Sequence, residues 1–231
     1  MIEIQVLSSG SHGNCYRVSD GEISLLLDCG IPWKKIQQGL NFRTDIEAVL
    51  LSHSHKDHSK AVKDIAKASI DIYMLETTRE QITATGHRIH IIEPLKQFTI
   101  GTWTILPFDT VHDVDSVGYL LVNQSGEKLL FATDTCYLKY KFVGLTHLLI
   151  ECNFADDILK ANVDAGVVAP ELKNRIIQTH FSLANVKECL KVNDLSNVEG
   201  IWLIHLSDQN SNSNLFKTEI QKLTGKPTYI C

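Results

Sequence analysis

No run in this chain approaches the roughly 18 consecutive apolar residues that a membrane helix needs, and Glu3 interrupts the opening apolar stretch. Neither a membrane span nor a secretory leader is therefore expected. The six cysteines (Cys15, Cys29, Cys136, Cys152, Cys189 and Cys231) form no CxxC pair and no zinc-knuckle spacing, which removes the common thiolate metal and redox motifs. Four of them stand beside apolar, strand-like runs, where cysteine acts as a small buried hydrophobe; reduced thiols in a cytoplasm are the expected state. Only 5 prolines occur among 231 residues. No Pro/Ser/Gly-rich linker, repeat or low-complexity tract breaks the chain, and one continuous domain over 1–231 is expected. Positive charge is in deficit too: 22 Lys+Arg against 27 Asp+Glu give a net charge of −5, which excludes binding of nucleic acid by bulk charge alone. What is present is ordinary globular chain, 44% hydrophobic and 21% charged, long enough to bury a core without staples.

Apolar runs predict strands at Ile2–Leu7, Ile23–Asp28, Ala48–Ser52, Ile70–Met74, Thr102–Phe108, Gly118–Val122, Lys128–Thr133, His147–Cys152 and Ile201–Leu206. Several are nearly continuous, as in Leu25-Leu26-Leu27, the signature of strands covered on both faces. Helical spacing appears between them. Ser59–Ala68 places Val62, Ile65 and Ala66 on one face; Ser182 can cap Leu183–Val192; Ser213 can cap a last helix that Gly225 stops. Strands that first dominate and then mix with helices predict a layered α/β (α+β) fold.

The chemistry concentrates in His53-Ser54-His55-Lys56-Asp57-His58, which follows Ala48-Val49-Leu50-Leu51 and precedes a helix. Three imidazoles and a carboxylate within six residues suit Zn²⁺ or a similar divalent ion. At this chain's composition the HxHxDH pattern arises by chance in about one chain per thousand. His53 and His55 differ by two, so on extended backbone they point the same way. Further candidates close later strands: His112 after Thr102–Phe108, Asp134 after Lys128–Thr133, and His205 in Ile201–Leu206. Five His and two Asp suffice for two metals sharing a carboxylate. His12, His87, His90 and His147 are read as turn, surface or structural residues.

These residues resemble the metallo-β-lactamase superfamily over nearly the whole chain. The resemblance implies an αββα four-layer sandwich with metals at the sheet edges. It also implies that His53, His55 and His112 hold one metal, that Asp57, His58 and His205 hold the other, and that Asp134 bridges them. The lactamases proper carry Cys where this chain has Asp134, which points away from lactam hydrolysis. Leu149-Ile150-Glu151-Cys152-Asn153-Phe154 resembles the His-Glu-Ala-Thr segment of RNase Z, with Ile150 where that motif has His. Gln178-Thr179-His180-Phe181-Ser182 resembles the segment carrying that family's general-acid His, and Leu203-Ile204-His205-Leu206-Ser207 its late His motif. The opening Ser8-Ser9-Gly10-Ser11-His12-Gly13-Asn14-Cys15, with Leu27-Asp28-Cys29-Gly30, is most similar to YycJ/WalJ exonuclease-type proteins and phage-encoded homologues, a neighbourhood that includes anti-Pycsar phosphodiesterases. Nothing resembles the long arm with which RNase Z clamps tRNA.

The expectation is thus a binuclear metal-dependent phosphodiesterase acting on a nucleotide-type substrate in the cytoplasm, the host's if phage-encoded. Two divalent ions, Zn²⁺ favoured and Mn²⁺ admitted by the carboxylates, would hold a bridging hydroxide. Asp57 would serve the reaction as well as the metal, and His180, held by Glu151, would protonate the leaving oxygen. Adding +4 to −5 leaves about −1, concentrated as positive charge in the cleft. The lysines Lys56, Lys60, Lys63 and Lys67 share a helical face but read equally well as a solvated face, so a cyclic mononucleotide is favoured over a long strand. No residue is assigned to substrate binding. The partners expected are that nucleotide or nucleic-acid diester, no membrane, and a second copy of the chain in a homodimer. Rival readings are a DNA or RNA nuclease, a thioester or lactone hydrolase, and a non-catalytic metal-binding protein.

Overall fold

Buried leucine-rich runs become parallel strands, and the amphipathic segments between them become the crossovers that parallel pairing requires. The computed structural model describes residues 1–43 and 45–231. They fall into two compact units: Met1–Asp109 with Val114–Glu127, and Thr110–Asp113 with Lys128–Cys231.

In the first unit β1 (Glu3–Ser8), β2 (Cys15–Ser19), β3 (Ser24–Leu27), β4 (Ile46–Leu50), β5 (Asp71–Met74) and β6 (Ile89–Ile91) form one mixed sheet in that order. The β1–β2 and β2–β3 pairs are antiparallel, and β3 through β6 run parallel. The unit also holds the antiparallel ladder β7 (Phe98–Ile100), β8 (Trp103–Asp109) and β9 (Val117–Val122). Its helices are α1 (Trp33–Gly39), α2 (Lys56–Ser59), α3 (Val62–Lys67) and α4 (Glu76–Ile82). Leu26, Val49 and Ile72 from the sheet pack with Ile36 of α1 and Ile65 of α3 in one apolar cluster.

The second unit carries four parallel strands, β10 (Lys128–Ala132), β11 (His147–Glu151), β12 (Gly200–Ile204) and β13 (Thr228–Ile230), each paired with the next. Between them run α5 (Asp156–Asp164), α6 (Pro170–Thr179), α7 (Leu183–Val192) and α8 (Ser213–Thr224). Pro170 opens α6 at the position where a missing N–H costs nothing. Ser182 caps α7 as expected, its hydroxyl accepting from the Asn185 N–H at 3.1 Å.

All nine expected strands form, with ends shifted by a residue or two. Two local expectations change. The cap of α8 is Asn212, whose Oδ1 accepts from Leu215 N at 3.0 Å, and Ser213 is the first helical residue. The expected helix Ser59–Ala68 is broken into α2 and α3 at Lys60-Ala61. His90, read as a surface residue, is partly exposed on β6 and stacked on Tyr73 at 4.7 Å. Strand β2 was hidden by Arg17, a charged residue in a fully buried strand, whose guanidinium donates to Ser24 Oγ at 2.7 Å and lies 3.6 Å from Asp45. His147 is buried and stacks on Trp202, the structural role expected of it.

All six cysteines are free thiols. Burial pushes the thiols of Cys15, Cys29 and Cys152 up, so they stay protonated. Among the described residues no helix is long and apolar enough to cross a membrane.

The exit from β3 is the tightest point of the first unit. Cys29 N donates to His58 O at 2.7 Å, Asn14 N to Asp57 O at 2.7 Å, and Gly30 N to Asn14 O at 2.8 Å. A Cβ on Gly30 would sit 1.6 Å from Asp57 O, a backbone atom that cannot step aside alone. Gly30→Ala is expected to cost at least about 2 kcal/mol of unfolding free energy through that overlap. Urea denaturation of the variant against wild type checks this; a loss below about 0.5 kcal/mol, the range of an ordinary surface change, contradicts the packing described.

Candidate metal centre

Functional side chains collect where parallel strands end, because only there does the backbone leave the ladder and free space for them. In the first unit β3 runs out at Leu27 into Asp28, and its parallel neighbour β4 runs out at Leu50 towards Ser52 and His53. His53 and His58 are fully buried, with ring centroids 4.2 Å apart, and His55 meets His53 edge-on at 4.8 Å. Asp57 Oδ2 lies 3.5 Å from His58 Nε2. The structure thus brings together all four expected ligands of this unit.

Their orientation comes from residues that sequence reasoning left unassigned. Buried Asp28 accepts from Ser52 N at 2.8 Å and from Ser52 Oγ at 2.9 Å, and its Oδ2 takes His58 Nδ1 at 2.6 Å. Ser52 Oγ also lies 2.9 Å from His53 Nδ1. Asn14, buried in the opening Ser/Gly loop, accepts from Gly10 N and from the Tyr16 hydroxyl, and its amide nitrogen lies 3.1 Å from His58 Nε2. That loop is therefore the support of the histidine loop. The available signal was Asp28 itself, a carboxylate directly after three buried leucines.

In the second unit three adjacent parallel strands end in polar residues: β10 runs into Thr133 and Asp134, β11 ends on Glu151, and β12 runs into His205. Asp134, Glu151, His180 and His205 offer ligand atoms that all lie within 4.8 Å of one another. Glu151 is fully buried, and four donors face it: His180 Nδ1 at 2.6 Å, His205 Nδ1 at 3.0 Å, Thr135 N at 3.0 Å and Phe181 N at 3.1 Å. Burial pushes the Glu151 carboxyl up, but His180 and these hydrogen bonds outweigh it and hold the group below its ordinary value. Burial likewise pulls His180 down, while the charge and hydrogen bond of Glu151 more than reverse this, so its pKa is raised. That shift favours the protonated form of His180, the C-cap of α6, which meets Glu151 through Nδ1. His112 donates from Nδ1 to Thr179 O at 3.0 Å and has Nε2 3.7 Å from Asp134 Oδ2. Burial is the chief cause that lowers its pKa.

Backbone strain marks the same residues. Among the described residues, eight non-glycine positions have positive φ, and only three of them are buried: Asp28 (φ 57), Asp134 (φ 45) and His205 (φ 53). A left-handed residue of this kind costs of order 1–3 kcal/mol and persists where surrounding bonds over-determine it.

These donor sets fit divalent ions. His112 has an acceptor at each nitrogen, Thr179 O at Nδ1 and Asp113 Oδ1 3.1 Å from Nε2. In His58 and His205 the Nδ1 atom meets a carboxylate oxygen, which can only accept, so the proton sits there and Nε2 carries the lone pair. A metal-binding histidine is oriented in just this way, its other nitrogen donating to an oxygen behind it. Buried imidazoles so aimed, with carboxylates beside them at strand ends, define a metal-dependent hydrolase.

The family is explicit. Residues 24–206 match the family described as Beta-lactamase superfamily domain, and the chain belongs to it. It is 29% identical over 225 residues to exodeoxyribonuclease WalJ of Streptococcus pneumoniae serotype 2 (strain D39 / NCTC 7466), covering 89% of this chain and 82% of the relative. The metallo-beta-lactamase fold protein YhfI from Bacillus subtilis shares the fold at a TM-score of 0.76 and 18% identity, over 100% of this chain and 97% of that one. The short form of human tRNase Z does so at 0.64 and 13% identity, over 100% and 96%. The expected fold class holds, and the chain is a metallo-hydrolase with nuclease relatives.

Asp28→Asn keeps the left-handed backbone, which Asn tolerates, but removes the charge behind His58. The expected result is a 10- to 100-fold loss of Zn²⁺ affinity, the usual effect of altering such a partner (about 10–100-fold), with little change in thermal unfolding. Competition against a chromogenic chelator measures it; unaltered affinity contradicts the orienting role.

Proposed function

We propose that the chain hydrolyses phosphodiester bonds in a nucleotide-type substrate, with its two compact units working as one domain. The observation that carries this reading is the His180–Glu151 pair, 2.6 Å apart, a raised-pKa imidazole on a buried carboxylate. Phosphodiester cleavage expels an alkoxide that needs a proton, whereas a thioester leaves as a thiolate and does not.

In this reading His53, His55 and His112 hold one divalent ion, Asp57, His58 and His205 hold a second, and Asp134 is shared between them. Bound there, such ions supply Lewis acidity towards water and the phosphoryl oxygens, with Zn²⁺ favoured and Mn²⁺ admitted. The protein's own part is to orient and to move a proton. Water adds to phosphorus and gives up one proton to solvent as the P–O bond to the leaving group breaks, and that leaving oxygen takes the proton from His180 Nε2. Glu151 stays ionised throughout and stabilises the imidazolium before the transfer; solvent then reprotonates the ring. Asp57, beside His58, orients the attacking water as well as serving as a ligand.

The negative net charge favours a cyclic mononucleotide, while similarity to an exodeoxyribonuclease over most of the chain favours a polynucleotide. We take the second as the stronger support, because net charge averages over the whole surface. Six free cysteines support action in a reducing cytoplasm. The test is a panel of bis-p-nitrophenyl phosphate, cyclic mononucleotides, single- and double-stranded DNA, pre-tRNA and a thioester, each with Zn²⁺ and with Mn²⁺. Turnover of a thioester but of no phosphodiester would overturn the reading.

His180→Ala is expected to lower turnover of an oligonucleotide by about 10²–10⁴, the worth of a general acid. The loss should shrink for bis-p-nitrophenyl phosphate, whose phenolate needs no proton; equal losses on both contradict the role. The acid must be protonated, so activity falls as pH rises through the pKa of His180. Glu151→Gln removes the charge that raises this pKa, and the alkaline limb of the pH profile should therefore move to lower pH.

Elemental analysis of a fully loaded sample is expected to give two metals per chain. One metal at full activity contradicts the binuclear arrangement.

A further inference from the structure

Asp57 and His58 of α2 belong to the candidate metal centre, but the lysines of α2, α3 and the turn between them have no part in the chemistry proposed above. Two grooves, of about 390 and about 400 Å³, run along these helices in the first unit and share Val62 and Lys63 in their walls. The charged residues lining them are Lys56, Lys60, Lys63, Lys67 and Arg88, with no carboxylate. In a chain with more Asp+Glu than Lys+Arg, 27 against 22, that is a marked segregation of sign. Arg88 is engaged with Asp71 at 3.1 Å. The four lysines are exposed and form no ion pair among the described residues. Asp64, the acidic residue of α3, lines neither groove.

Lys63 and Lys67 are four residues apart on α3, the spacing that aligns side chains on one helix face, and Lys60, in the turn between α2 and α3, lines the same groove as Lys63. A solvated lysine face borders open surface, whereas this one borders concave space. It also begins within the histidine loop, since Ser54 and Lys56 belong to both. The lining has no Phe, Tyr or Trp, so it offers cations for phosphates and no platform for stacking bases.

We propose that this groove binds the sugar-phosphate backbone of a single nucleic-acid strand, without regard to base sequence. The inference rests on the phosphodiesterase reading and gives it a polymeric substrate that enters along α2 and α3. Unpaired lysines that neutralise phosphates release counterions, so the groove should appear as salt dependence.

The test is fluorescence anisotropy with labelled phosphorothioate oligo-dT, oligo-dA and RNA strands of about 12 nucleotides, within the range of known single-strand sites. Lys60→Gln/Lys63→Gln/Lys67→Gln is compared with wild type and with a charge-matched control, Lys34→Gln/Lys35→Gln/Lys217→Gln. Three phosphate contacts at about 0.7 each predict that the slope of log K against log salt becomes shallower by about 2 in the groove variant. Oligo-dT and oligo-dA should lose affinity equally, and the control should keep the wild-type slope. If the triple variant unfolds, Lys63→Gln alone should reduce the slope by about 0.7. An unchanged slope, or an equal loss in the control, overturns the groove. The RNA arm shows whether the groove distinguishes the sugar. Turnover of bis-p-nitrophenyl phosphate on the same preparations tests the phosphodiesterase reading separately: its absence in wild type sinks that reading whatever the anisotropy gives.

Discussion

A carboxylate with no solvent around it is tolerated only when its oxygens are filled with donors, and Glu151 meets that condition four times over. Removing such a charge from water costs several kcal/mol, which the surrounding hydrogen bonds must offset. Much of the second unit's local geometry follows. The loop after β10 turns so that Thr135 N faces one oxygen, and the chain entering α7 presents Phe181 N to the same atom. The other oxygen takes His180 and His205, so one buried charge sets the orientation of two imidazoles from different parts of the sequence.

The first unit solves a matching problem with Asp28. Its oxygens hold Ser52 by backbone and hydroxyl and His58 by ring nitrogen. The backbone around it is equally committed, since Gly30 leaves no room for a side chain against Asp57 O. In both units a buried acid at a strand end faces imidazoles, Asp28 holding His58 and Glu151 holding His180 and His205.

The candidate ligands were legible because their letters are rare and fall directly after apolar runs: His53, Asp134 and His205 could each be placed at a strand end by counting. The orienting residues were not legible in the same way. Asp28 and Asn14 follow or sit among ordinary turn residues, and only their bonds to His58 separate them from a turn Asp or Asn. Strand β2 escaped because Arg17 reads as exposed, although its guanidinium is buried against Ser24 and Asp45. Strands β6 and β7, at three residues each, are too short to carry a period. Net charge is a coarse guide to substrate size for a related reason: a sum over 231 residues cannot register that five cations share one pair of grooves.

The left-handed backbone at Asp28, Asp134 and His205 carries a consequence for protein engineering. Glycine adopts that conformation without penalty, so at each of these positions it would relieve strain while deleting the functional side chain. Thermal tolerance and chemistry therefore pull in opposite directions at these three sites. A variant library screened only for heat resistance would drift towards glycine there, and its most robust members would be inert.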